Sequence, residues 1–243
     1  MKVYGLIGYP LSHSFSKGFF AEKFAREGIK ACIYESFPIP GIDELPALLA
    51  QQPDIQGLNV TIPYKEVVIP YLDELSPAAA QMKAVNCIHF KDGRKIGHNT
   101  DAIGFSRSLA PLLKPHHNKA LVLGTGGAAK AVQFVLESLH IPYKLVSRQA
   151  TAGTISYEQL DAVTMASHTL IINTTPLGMY PNVEAAPAIP YDQLTDQHLL
   201  YDLIYNPAVT AFLQQGADKG ATVKNGHEML ILQAEASWEI WGK

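Results

Sequence analysis

"ALVLGTGGAAKAVQFVLESL", residues 120–139, decides the fold. Four apolar residues, Ala120 to Leu123, run into Gly124, Gly126 and Ala129 in the spacing GxGxxA, and a helical pattern follows at once. A tight turn there exposes backbone amides, and the helix N-terminus gathers them where a pyrophosphate would lie. A glycine trio alone also serves close helix–strand packing, but strand, turn and helix in this order are the context of a dinucleotide site. The following strand, "YKLVSR" (143–148), ends in Ser147 and Arg148 with no acid. An NAD site places a carboxylate there to accept from the ribose 2′-hydroxyl, whereas a guanidinium suits a 2′-phosphate. NADP is therefore the expected cofactor, set against the plainer reading of a solvated arginine at a strand end.

Outward from this stretch, strand and helix patterns alternate in both directions. Downstream, "TLIINTTPLGM" (169–179) and "LLYDLIYNP" (199–207) read as strands ending in turn chemistry, and "NGHEMLILQAEASWEIWGK" (225–243) as one helix. Upstream, "KVYGLIG" (2–8), "CIYESFPI" (32–39) and "IQGLNVTI" (55–62) read as strands. Helices are expected over "SKGFFAEKFAREG" (16–28) and "GIDELPALLAQQ" (41–52), and "AVNCIHFKDGRKIGHN" (84–99) reads as a hairpin turning at Asp92-Gly93. The pattern restarts with the helix "TDAIGFSRSLAPLL" (100–113). The class is α/β: an N-terminal α/β substrate domain over 1–101, joined by a C-terminal helix 227–243, and a Rossmann-type doubly wound dinucleotide-binding domain over 102–226.

Composition narrows the function classes. Of 243 residues, 47% are hydrophobic and 17% charged, which fits a globular chain rather than a disordered one. A net charge of −3 gives no basic footprint for nucleic acid. No apolar run is long enough for a membrane span, and the N-terminus enters a strand without a signal-peptide cleavage site. Cys32 and Cys87 have no metal-ligand spacing, so a reduced, cytoplasmic setting without a bound metal is expected. His116-His117, in a polar loop, is expected to be solvated.

A set of polar groups recurs at strand ends in the first half: Ser12, Ser14 and Ser16; Asn59, Thr61 and Lys65; Asn86; Asn99 and Asp101. Each has a bland reading as a turn, cap or surface residue. Together they stand where ligands bind in α/β sheets. Pro63, two residues before Lys65, is expected to stiffen the strand exit that aims the lysine.

The motifs "SHSFS", "NVTIPYK", "AVN", "NTD", "GTGGAAKAV", "INTTPLGM", "YDLIYNP" and "NGHEMLILQA" occur in the same order as in the shikimate dehydrogenase family, which the chain resembles from residue 5 to about 236. The resemblance implies reduction of 3-dehydroshikimate to shikimate with NADPH. It implies Ser14 and Ser16 on the substrate carboxylate, Lys65 and Asp101 as the catalytic pair, and Thr61, Asn86, Tyr205 and Gln233 on the ring hydroxyls or carboxylate. It puts Gly126, Gly127 and Ala128 in the phosphate turn, Ser147 and Arg148 at the 2′-phosphate, and Leu203 and Gly226 beside the nicotinamide. Hydride addition to a ketone leaves an alkoxide that needs a proton, and a lysine supplies both proton and positive charge.

The chain departs from the family pattern in several places. Lys17-Gly18 follows "SxS" where proline is common, and His98 and Ala102 flank "NTD" where an acid and a glycine are commoner. The run "SRQAT" lacks a second basic residue, so NADP preference is expected to be weaker than usual, or dual. The chain also ends soon after "WEIWGK", leaving monomer and homodimer both open. The alternatives to an NADP-dependent shikimate dehydrogenase are a quinate/shikimate dehydrogenase using NAD, and a non-catalytic dinucleotide sensor. The intact Lys65 and Asp101 speak against the sensor.

Overall fold

The computed structural model describes residues 1–11 and 15–242. The chain divides into two compact units, one of Met1–Thr100 with the chain end from Ala234 on, the other of Asp101–Gln233.

The first unit begins with β1 (Lys2–Gly8), α1 (Phe15–Arg26), β2 (Cys32–Pro38), α2 (Leu45–Gln51) and β3 (Ile55–Val60), and continues through β4 (Glu74–Leu75), α3 (Pro77–Met82), β5 (Cys87–Lys91) and β6 (Arg94–His98). Its sheet runs β2-β1-β3-β5-β6-β4, with β1 parallel to β2 and β3, and β5 antiparallel to both its neighbours. Alternation along β1 sends Val3 and Ile7 into one core and Tyr4 and Leu6 into another, so both faces of the sheet are covered. In α1, Phe20, Lys23 and Phe24 share the buried face, a spacing that lines up on one side of a helix. The Lys23 ammonium is held between Glu27 (2.8 Å) and Glu235 (2.7 Å). The hairpin turns as read, with positive φ at Asp92 (51°) and Gly93 (76°), the backbone of a two-residue turn that matches strand twist. The third strand stops at Val60, two residues short of the sequence reading, because Thr61 opens a turn in which Tyr64 N–H donates to its carbonyl (2.9 Å). Helix α3 was not anticipated, although Ser76 caps it by accepting from Ala79 N–H (3.3 Å) and Pro77 opens it.

The second unit contains α4 (Thr100–Leu109, entered from the first unit), β7 (Ala120–Leu123), α5 (Gly127–Ser138), β8 (Tyr143–Ser147) and β9 (Thr154–Ser156). There follow α6 (Ala162–Ser167), β10 (Leu170–Asn173), β11 (Leu199–Asp202), α7 (Ala211–Asp218), β12 (Thr222–Lys224) and α8 (His227–Trp241), whose last turns return to the first unit. The sheet order is β12-β11-β10-β7-β8-β9, all parallel. Read from β7 outward in both directions, this is the doubly wound order, and its switch point falls between β7 and β10. The central strands β7, β10 and β11 are buried throughout, which is why they read as unbroken apolar runs. Short β9, α6, α7 and β12 escaped the sequence reading; Asp161 and Thr210 cap the two helices. The expectation for His117 is overturned. It is 4% exposed, its Nδ1 accepts from Lys114 N–H (3.0 Å), and its Nε2 donates to the Gln197 carbonyl (3.2 Å). In this Pro-flanked loop the imidazole satisfies two backbone groups, which is how a polar ring is accommodated in a buried position.

Candidate active site

The parallel sheet of the second unit presents its carboxyl ends as a row of turns, and the expected cofactor residues fall on that row. Gly124 follows β7 with φ +105°, and a Cβ there would lie 2.8 Å from Thr174 Oγ1 and 3.0 Å from Thr175 Cγ2, on the turn after β10. Only glycine fits both the backbone and the space. Gly126 is different. It caps α5 with ordinary extended angles (φ −77°, ψ −175°) and no side-chain cap, and a Cβ on it or on Gly127 meets nothing within 4 Å among the described residues. Packing does not require glycine at either place. What glycine gives there is an open approach to the first-turn amides of α5, which suits an anionic diphosphate. Ala128 is exposed beside them, and Ala129, the third position of the motif, is fully buried against the sheet. The residues therefore fit a dinucleotide.

At the end of β8, Arg148 is exposed and no acid stands at the strand terminus. Burial raises the pKa of the Tyr157 phenol while the Arg148 charge lowers it, which puts the guanidinium near that ring. Ser147, expected at the 2′-phosphate, donates to the Gln149 carbonyl and contacts Thr154 Oγ1 (3.2 Å), which also contacts Thr151 Oγ1 (2.9 Å). Its hydroxyl closes the 147–154 turn. Leu203 and Gly226, expected beside the nicotinamide, are brought together: a Cβ on Gly226 would run into the Leu203 carbonyl, and Gly226 N–H donates to the Ile204 carbonyl (2.9 Å).

The sequence reading passed over Asp202, at the end of β11 and fully buried. It accepts from Thr210 Oγ1 (2.6 Å), Ile204 N–H (3.0 Å) and Asn173 Nδ2 (3.0 Å), tying together the turns after β10 and β11. Burial pushes its pKa up to about 6, with those three donors pulling the other way. A lone acid inside "LLYDLIY" was the available signal.

Of the expected catalytic and substrate-contacting residues, Lys65, Thr61 and Asn86 come together in the first unit. Val60 N–H donates to the Asn86 carbonyl (2.8 Å), Thr61 N–H to the Ile7 carbonyl (3.0 Å) and Val85 N–H to the Lys65 carbonyl (2.7 Å). The half-buried Lys65 thus rides a turn held from both sides. Next to it, Tyr64 is buried and donates to the Ile39 carbonyl (2.5 Å). The Ile62–Pro63 peptide within this turn is cis. Asn86 precedes β5 rather than interrupting a strand, and its Oδ1 accepts from Thr100 N–H (2.6 Å) and Thr100 Oγ1 (3.1 Å). Asn99 Nδ2 donates to the Ala84 carbonyl (3.0 Å). Asp101, the second residue of α4, is half-buried. Ser16 lies in the first turn of α1, and its hydroxyl opposes the burial-driven rise in the Tyr34 phenol's pKa. Ser14 lies outside the described residues.

Asp101, Tyr205 and Gln233 belong to the second unit. Tyr205 is exposed at the turn after β11, and Gln233 Nε2 donates to the Leu230 carbonyl (2.9 Å). Close packing of α4 on α8 depends on Gly104, where a Cβ would lie 2.5 Å from the Met229 carbonyl. Among the described residues no cluster of three metal-ligating side chains occurs, and no helix is long and apolar enough to cross a membrane.

A doubly wound parallel sheet with an open glycine turn, joined to a second α/β unit that carries a pinned lysine turn, defines a two-unit α/β protein of the dinucleotide-binding class. Comparison with known proteins narrows this. Residues 6–88 match the family model of the shikimate dehydrogenase substrate binding domain. The NADP(+) shikimate dehydrogenase of Methanosphaera stadtmanae is 36% identical over 98% of this chain and 90% of its own length. Among solved structures, the shikimate 5-dehydrogenase of Listeria monocytogenes in complex with shikimate and NAD superposes with a TM-score of 0.89 at 26% identity, covering 100% of this chain and 92% of that one. The Thermus thermophilus enzyme in complex with NADP(H) and shikimate gives 0.87 at 30% identity, covering 99% and 93%. The chain belongs to the shikimate dehydrogenase family.

Proposed function

We propose that this protein is an NADP-dependent shikimate dehydrogenase, interconverting 3-dehydroshikimate and shikimate as a soluble cytoplasmic monomer or homodimer. The observation that carries this reading is that the turn bearing Thr61 and Lys65 is backbone-bonded to Val85 and Asn86, so that the expected catalytic lysine and two expected substrate contacts lie on adjoining segments. NADPH, when bound, supplies the hydride to the ketone carbon. Lys65 gives its proton to the oxygen that becomes the hydroxyl, and its charge favours the developing alkoxide. In the reverse direction the amine takes that proton back. Asp101 orients the substrate hydroxyl, and Ser14 and Ser16 donate to its carboxylate. Neutral donors fix the carboxylate without the desolvation penalty of a buried ion pair. In the second unit, the amides of Gly126, Gly127 and Ala128 receive the diphosphate, Arg148 the 2′-phosphate, and Leu203 and Gly226 shape the nicotinamide end.

One observation favours a second reading in which NAD also serves. Arg148 is the only cation offered at the end of β8 through residue 154, and the Ser147 hydroxyl closes its own turn. Initial rates of cofactor reduction test both readings, with shikimate and quinate each tried against NADP and NAD. Turnover of shikimate with NADP well above the other three combinations is expected. Comparable rates with quinate and NAD would replace the first reading with the second, and no turnover in any combination would refute both.

A further inference from the structure

A chain of buried polar groups crosses the interior of the first unit. It starts at Tyr34 on β2 (5% exposed), whose hydroxyl donates to Asn59 Oδ1 on β3 at 2.8 Å. Asn59 Nδ2 then donates to the Asn86 carbonyl at 3.2 Å and to Ser237 Oγ on α8 at 2.9 Å. Ser237, wholly buried, contacts Thr100 Oγ1 at 3.2 Å. Thr100, also wholly buried, donates through both its hydroxyl and its amide to Asn86 Oδ1.

The donors can be ordered. An amide oxygen only accepts, so Asn59 is oriented with Oδ1 toward Tyr34 and Nδ2 toward Ser237. Thr100 commits its single hydroxyl proton to Asn86 Oδ1, which makes Ser237 the donor at the Ser237–Thr100 contact. The run Tyr34, Asn59, Ser237, Thr100, Asn86 is therefore polarised in one direction. At its far end two donors occupy Asn86 Oδ1, leaving the Nδ2 edge as the part of that amide available to a ligand. The same bonds hold the amide that opens α4, one residue before Asp101. Tyr34, at the near end, adjoins the Ser16 hydroxyl.

We propose that Asn59 and Ser237, neither assigned to contact with substrate or cofactor, are positioning residues that fix Asn86 as a donor toward the substrate and set the first turn of the helix carrying Asp101. This rests on the shikimate dehydrogenase reading for the roles of Asn86 and Asp101. Each link is buried, so a lost link cannot be replaced by bulk water and must be absorbed by rotation of its neighbours. Ser237→Ala removes the acceptor from Asn59, the donor from Thr100 and the hydroxyl beside the Cys87 thiol, at a volume change of one oxygen.

The test is Ser237→Ala in the full-length protein, with two readouts. Steady-state kinetics are expected to show kcat/KM for shikimate reduced about 10- to 100-fold, the scale at which misplacement of reacting groups acts, and KM for NADP within twofold of wild type. NMR-resolved hydrogen exchange is expected to speed up at the Thr100 amide by more than at the Leu58 amide, in the centre of β3. Unchanged shikimate kinetics, or acceleration at Thr100 no greater than at Leu58, would overturn the proposal, since a merely stabilising hydroxyl would loosen both amides together. If the wild-type protein oxidises no shikimate with either cofactor, the functional reading fails instead. The Thr100-against-Leu58 contrast still decides whether Ser237 holds the Asn86–Thr100 junction.

Discussion

Gly124 and Gly126 belong to one motif and are glycines for different physical reasons, so alanine should separate them. At Gly124 the backbone sits at φ +105° and the added methyl lies 2.8 Å from Thr174 Oγ1 and 3.0 Å from Thr175 Cγ2. A left-handed non-glycine residue costs about 1–2 kcal/mol, and forcing a methyl into occupied space costs about 1–3 kcal/mol more. Gly124→Ala is therefore expected to destabilise the protein by about 2–5 kcal/mol, lowering the melting temperature by roughly 4–20 °C for a chain of this size. At Gly126 the angles are ordinary and the methyl meets no protein atom among the described residues. Gly126→Ala should leave stability unchanged or raise it by about 0.4–1 kcal/mol, through the restricted unfolded chain. Its cost should fall on the cofactor. A methyl at the mouth of the α5 amides keeps a phosphate from one or two charge-assisted hydrogen bonds, about 1.5–3 kcal/mol each, or at least tenfold in NADP affinity. Thermal melts without ligand and fluorescence titration with NADP measure the two quantities separately. If Gly126→Ala melts as early as Gly124→Ala, or binds NADP as tightly as wild type, the assignment of the turn to phosphate binding is refuted.

Lys65→Ala should fold normally, since the lysine is only half-buried and its turn is held through its backbone, and should lose about 10²–10⁴ in kcat; turnover equal to wild type would remove the lysine from the chemistry. Arg148→Ala should raise KM for NADP by about tenfold or more, on the scale of a lost charge-assisted contact, while leaving KM for NAD nearly unchanged. Equal shifts for both cofactors would mean the arginine does not read the 2′-phosphate. Asp202 makes stability fall with rising pH. Its folded pKa of about 6 lies above its ordinary 3.8, so its contribution is complete below about pH 4 and is lost as pH rises through 6. The loss amounts to about 3 kcal/mol by neutrality. Urea unfolding of wild type and Asp202→Asn from pH 4 to 8 checks this: the wild-type curve should decline more steeply, and parallel curves would contradict it.

Much of the second unit was legible because its signals are local. A strand, a turn with one positive-φ glycine, and a helix occupy consecutive residues, and neighbours in sequence set each other's backbone angles. The hairpin at Asp92-Gly93 was legible for the same reason. Short elements such as β9 and β12 were not, since three residues carry too little periodicity and owe their extended form to the strand beside them. In the site, residue types pointed to Lys65, Thr61 and Asn86, but not to how they are held. Ser147 read as a ligand residue, and its part in closing a turn was not legible. His117 read as solvated and is buried, because the groups it satisfies at Lys114 and Gln197 stand 3 and 80 residues away.

The longer strands and helices, the glycine turn, the basic end of β8 and the family were legible in the sequence alone, because each rests on residues within a few positions of one another or on motifs in fixed succession. Tertiary structure alone decided the buried chain from Tyr34 to Asn86. Asn59 and Ser237 stand 178 residues apart, and Ser237 and Thr100 137. No local pattern announces such a bond. A serine on an amphipathic helix and an asparagine in a strand look alike whether they face water or each other. Only the fold, by excluding water from both, turns two ordinary polar residues into partners that must satisfy one another.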